Sequence, residues 1–138
     1  MAKDKYHALV REALENEGWT ITDDPYQVPM GLRKGFIDLG AERTLIGAER
    51  GNEKIAVEIK TFAGASDLQD MDLASGQYTR YRLALSKTEP ERTLFLAIPS
   101  EFYQMFFQDP FFAELLGFAG IKSLVYDEKA PVIRKWIK

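Results

Sequence analysis

The chain has 138 residues, enough for one domain with a sizeable core, and no cysteine, which excludes disulfides, thiolate metal sites and thiol catalysis. A formal charge of −3 and a pI near 5.3 argue against a protein that coats nucleic acid nonspecifically, because such binding draws on clustered Lys and Arg. The single histidine, His7, cannot build a histidine-rich metal centre, and no apolar run has membrane-spanning length. The N-terminus lacks the apolar stretch of a secretory signal, so a cytoplasmic location is expected for a single domain over residues 1–138.

In chain order, Asp4 to Gly18 carries Tyr6, Leu9, Val10, Ala13 and Leu14 at helical spacing, with Gly18 placed to end the helix. Glu12 and Glu15 fall on its other faces, where solvated charge is the usual case, and His7 reads as a structural residue with a polar partner. Trp19 to Thr22 is β-prone and stops at the turn signal Asp23-Asp24-Pro25. From Tyr26 to Gly35, Pro29, Gly31 and Gly35 interrupt the pattern, which reads as a loop bearing the basic pair Arg33-Lys34. Phe36 to Leu39 is a short strand-like run whose only charge is Asp38.

Thr44 to Arg50 and Glu53 to Lys60, around Gly51-Asn52, predict a β-hairpin packed on the first helix. In its second arm Ile55, Val57 and Ile59 alternate with Ala56, Glu58 and Lys60. Glu58 and Lys60 therefore point the same way, about 6 to 7 Å apart at the backbone. Ser66 to Ser86 predicts a long helix with Ser66 or Asp67 as N-cap, and Leu73, Gln77, Tyr81 and Ala84 along one side beside Met71, Ala74, Tyr78 and Leu85. A glutamine on such a face needs polar partners.

After Glu89-Pro90, Thr93 to Ile98 has the continuous apolar pattern of a strand buried on both faces. Ser100 to Gly117 is helical, restarts at Asp109-Pro110, and is dense in aromatic residues, including Phe102, Phe106, Phe107 and Phe111. At least two of these four are expected to stay partly exposed or be covered by another chain, with segment 102–116 as a candidate oligomer or partner surface. Ile121 to Tyr126 and Val132 to Ile137 close the chain as two strands around a turn at Asp127 to Pro131.

The order Asp38, Glu58-x-Lys60, then Gln77-x-x-x-Tyr81 resembles the PD-(D/E)XK nuclease superfamily and the trailing helix of its RecB-like branch. Ile37 stands where the pattern's name has proline. From Gly18 to Pro25, through Ile37 to Glu42 and Val57 to Lys60, to Gly76-Gln77-Tyr78 and Tyr81 to Leu85, the chain resembles the XisH family, named for control of fdxN element excision in cyanobacteria. The resemblance implies an α/β restriction-endonuclease-like fold, a three-layer core with a central mixed sheet flanked by helices. It also implies a Mg²⁺- or Mn²⁺-dependent deoxyribonuclease acting in programmed DNA element excision. Oxygen-preferring Mg²⁺ would be held by Asp38, Glu58 and the Ile59 backbone carbonyl, with Lys60 facing the attacking water. By the same resemblance Gln77 and Tyr81 would contact phosphate or Lys60. DNA, an XisI-like protein and a recombinase are the implied partners. A Glu-x-Lys pair on a strand is more often a surface ion pair, and two other readings stay open: a non-catalytic recombination accessory of nuclease fold that binds DNA or a protein such as XisI, and an acidic interaction module.

Overall fold

The computed structural model describes residues 2–44, 52–64 and 66–138. Among them the chain runs α1 (Ala2–Asn16), β1 (Thr20–Asp23), β2 (Tyr26–Met30), β3 (Arg33–Ile37), β4 (Leu39–Thr44), β5 (Asn52–Ile59) and α2 (Asp67–Thr88). It continues through β6 (Thr93–Pro99), α3 (Ser100–Phe106), α4 (Pro110–Phe118), β7 (Ser123–Tyr126) and β8 (Ile133–Ile137). Six strands form one mixed sheet in the order β1-β4-β5-β6-β7-β8, with β5, β6 and β7 parallel and the other neighbours antiparallel. Helix α2 is the crossover between parallel β5 and β6, as such a connection requires. No helix of the described residues is long and apolar enough to cross a membrane.

Strand period sorts the side chains into two cores. Ile55 and Val57 of β5 join Leu39, Ala41, Phe95 and Leu124 in a cluster with Val10, Ala13 and Leu14 of α1. Ala56 faces the other way, into a cluster with Leu94, Leu96 and the α2 residues Met71, Tyr78, Tyr81 and Leu85. Glu58 and Lys60 share the parity of Ala56 and so belong to the α2 face. The result is a central mixed sheet with helices on both faces, as expected. Ser66 caps α2 by accepting the Gln69 amide, and β6 is buried along almost its whole length.

Four expectations need correction. Residues 26–35 are not a loop: β2 and β3 pair antiparallel, Tyr26 with Ile37 through Met30 with Arg33, as a separate two-stranded sheet against α2. Each apparent breaker has a place in it. Pro29 lies on the exposed face of a sheet with no further strands, Gly31 takes φ +59 in the turn, and a Cβ on Gly35 would lie 2.8 Å from Met30 Sδ and 3.0 Å from Tyr81 Cε1. Second, the first arm of the hairpin that feeds β5 is β4, which starts at Leu39 and reaches Thr44 opposite Asn52. The expected strand over residues 45–50 and the turn at Gly51 lie outside the described residues. Third, Asp38 is not within a strand but at the bend between β3 and β4. Fourth, Leu73 is 67% exposed: the buried stripe of α2 is Met71, Ala74, Tyr78, Tyr81 and Leu85.

The aromatic segment divides. Phe102 and Phe107 are buried, Phe106 is half-buried against Phe102 and Phe112, and Phe111 is exposed with Met105 and Phe118. Glu12 and Glu15 are solvent-exposed, and His7 shares a 2.8 Å hydrogen bond with Asp24.

Candidate functional site

Asp38 reaches the site because the chain leaves the small sheet at Ile37 and enters the large one at Leu39. Leu39 pairs with Val57, so the bend residue before it falls beside the following residue of the antiparallel neighbour, Glu58. Each acid then binds main chain of the other's segment. Asp38 Oδ2 accepts the Ile59 amide at 2.7 Å, and Glu58 Oε1 accepts the Asp38 amide at 3.2 Å. One oxygen of each carboxylate is thus fixed by main chain.

Glu58 is 6% exposed, and its Oε2 lies 3.4 Å from Lys60 Nζ. Burial pushes its carboxyl up to about 7, with the Asp38 charge adding to the shift and Lys60 opposing it. One ammonium faces two carboxylates, so Lys60 offsets only part of the shift that burial and Asp38 impose on Glu58. Lys60 is itself held from both ends. Its amide donates to Ala97 O at 3.1 Å and its carbonyl accepts from Tyr126 Oη at 2.9 Å.

Helix α2 closes the site from above. Gln77 Nε2 donates to Tyr81 Oη at 3.3 Å, and Tyr81 Oη donates to Phe36 O at 3.1 Å, two residues before Asp38. Burial and then the nearby Glu58 charge raise the Tyr81 hydroxyl above its ordinary value. Gln77 therefore has the polar partner that its place on the helix demands. A cleft of about 250 Å³ opens from Lys60 along residues 61–64 to Asp70 and Ala74. A second hollow lies farther along α2, between Asp72 and Arg80 with Gln77 on its wall.

All five side chains singled out from the sequence converge here: Asp38, Glu58 and Lys60 through direct bonds, Tyr81 beside Glu58, and Gln77 through Tyr81. Among the described residues no group of three or more His, Cys, Asp or Glu side chains is placed to hold a metal. The donors brought together are the carboxylates of Asp38 and Glu58, a small oxygen set that fits an ion that keeps most of its waters, as Mg²⁺ does. Two contributors escaped the sequence reading. Tyr126 looked like one more strand aromatic, and Arg80 gave no sign that it would lie over the Tyr81 ring, 5.1 Å from its centre.

The model of the XisH protein family matches residues 1–134. No curated protein matches the sequence. Two solved structures are similar over nearly the whole chain. An XisH family protein from Nostoc punctiforme is 40% identical, with a TM-score of 0.87, over 98% of this chain and 100% of that one. A protein from Anabaena variabilis described as an fdxN element excision controlling factor is also 40% identical, with a TM-score of 0.86, over 98% of this chain and 99% of that one. A mixed α/β chain that matches the family model from its first residue to residue 134 belongs to the XisH family.

Proposed function

We propose that the protein is a metal-dependent deoxyribonuclease of restriction-endonuclease-like, PD-(D/E)XK type, acting in the control of programmed DNA element excision. The last part rests on the description of the Anabaena variabilis relative. The observation that carries the reading is the buried, electrostatically unbalanced Glu58, which meets Asp38 from a separate segment and Lys60 from its own strand. Structural carboxylates are ordinarily matched by cations or left in water; a buried carboxylate beside a half-buried one with a single ammonium favours a missing positive charge.

Asp38, Glu58 and the Ile59 carbonyl would hold Mg²⁺ or Mn²⁺, leaving room for water and one phosphate oxygen. When bound, the ion supplies charge to a phosphodiester and acidity to water. Lys60, fixed through its backbone, donates to that water or to the developing phosphorane oxygens. Gln77 offers an amide at the rim, and Tyr81 holds the Phe36 carbonyl and so the approach of Asp38.

Incubation of supercoiled plasmid with the protein in Mg²⁺ or Mn²⁺ should give nicked or linear DNA, and Glu58→Gln should abolish it. A wild-type protein that leaves plasmid intact in both ions, and whose melting temperature ignores them, would turn the reading to the second one. That reading is a non-catalytic accessory, and the exposed Met105, Phe111 and Phe118 favour it as a surface for an XisI-like protein, a recombinase or a second copy of the chain.

A further inference from the structure

The β2–β3 hairpin stands at the edge of the candidate site and is built for contact rather than for burial. Its inner face is anchored: Val28 and Ile37 are fully buried, and Gly35 lets Tyr81 and Met30 close on it. Its tip is not. Leu32 is completely exposed at 107%, and the neighbouring Arg33 and Lys34 are exposed as well. Arg33 pairs across the hairpin with Met30, and Arg80 of α2 approaches Met30 Sδ at 3.4 Å while lying over Tyr81. Arg33 shares the parity of Gly35 and Ile37 and so lies with Arg80 on the α2 side of the hairpin, whereas Lys34 stands on its outer face; the three cations bracket the arm behind its tip. Among the described residues none of the three forms an ion pair, although the chain has more acids than bases. On α2, Asp72 shares a hollow with Arg80.

We propose that this hairpin is an arm that grips duplex DNA: Arg33, Lys34 and Arg80 take backbone phosphates and the Leu32 side chain wedges into the minor groove. An apolar side chain at the end of an anchored hairpin, with cations on both faces of the arm behind it, is suited to prying at a base step while nearby phosphates are held. The six steps from Leu32 to Asp38 span about 20 Å at roughly 3.3 Å per strand residue. Along a duplex that is about six base pairs at 3.4 Å each. The arm accordingly protects DNA to one side of the phosphate held at Asp38, about half a helical turn away. This inference rests on the nuclease reading for the position of the cut, but not for the grip itself.

The test uses the full chain and a labelled random-sequence DNA duplex without divalent metal, titrated across a range of salt. R33Q/K34Q, which touches no buried residue, should melt like wild type and bind roughly tenfold more weakly for each charge removed near 0.1 M salt. Its log–log salt slope should fall by about 1 per side chain. L32S should keep the salt slope and lose DNA bending, read by energy transfer between duplex ends. Unchanged affinity and slope in R33Q/K34Q overturn the proposal, as do unchanged bending in L32S, preference for an RNA duplex, or no retention of DNA by wild type. If wild type binds and bends DNA yet neither cleaves it nor responds to Mg²⁺, the arm stands and the nuclease reading fails.

Discussion

Two clusters in this protein are made from the same kinds of group, and their central carboxyls shift in opposite directions. Around Arg92, whose side chain is 4% exposed, the guanidinium donates to Glu89 at 2.6 Å and to the Ile55 carbonyl at 2.8 Å. It lies 4.6 Å from the centre of the Tyr26 ring, and the Tyr26 hydroxyl donates to Glu89. Lys54 adds a second cation, 3.7 Å from Glu89. The hydrogen bonds from Arg92 hold Glu89 down to about 2, and burial with the Glu89 contact pushes Tyr26 up to about 12. Around Glu58, by contrast, two carboxylates face one lysine and the acid rises to about 7. A satisfied cluster fastens the β2–β3 hairpin to the main sheet. An unsatisfied one is where chemistry is to be sought.

The comparison breaks most sharply at Arg92. Arg92→Ala takes away the strongest partner of Glu89 and the donor to the Ile55 carbonyl, and should lower the unfolding free energy by about 3 kcal/mol in urea titrations. Glu58→Gln should do the opposite in the metal-free protein. The folded carboxyl titrates near 7 against 4.5 in the open chain, so wild-type stability is fully present below pH 4.5 and lost as pH rises toward 7. The substitution removes that loss, raising stability at neutral pH by at most about 2 to 3 kcal/mol, while cancelling any Mg²⁺-induced gain in melting temperature. Glu89 gives the mirror image. With its carboxyl held low, its contribution is present above pH 4.5 and disappears as pH falls toward 2, and melting curves of wild type against Arg92→Ala should converge in that range. The smallest effect is expected at Tyr126→Phe, which removes the hydrogen bond to the Lys60 carbonyl and should cost about 1 kcal/mol. Its readout is a larger fractional loss of cleavage than of stability, since Lys60 loses one of its two backbone restraints.

Much of this was legible in the residues. Alternation placed Ile55 and Val57 on one face and Glu58 with Lys60 on the other, and four-residue spacing joined Gln77 to Tyr81. Those are properties of one element at a time. What was not legible depends on pairs of elements. The β2–β3 hairpin was hidden because Pro29, Gly31 and Gly35 look like breakers unless a helix carrying Tyr81 is known to press on Gly35. Leu73 was turned inward by its hydrophobicity, although the stripe through Met71, Ala74, Tyr78 and Leu85 already filled the buried side of α2. Arg92 left no trace in sequence, since nothing local tells a surface arginine from one that bridges Glu89 to the Ile55 carbonyl.

The crossed bonds between Asp38 and Glu58 make the site audible from outside it. The Ile59 amide hydrogen ends on one carboxylate and the Asp38 amide hydrogen on the other. Proton resonances of both amides sense how much negative charge their acceptors carry. In a ¹⁵N-labelled sample the Asp38 cross-peak should move as Glu58 gives up its proton between acidic and neutral pH, and both should move when a cation arrives. They would report the electrical state of the centre continuously, and before any cleavage assay is attempted.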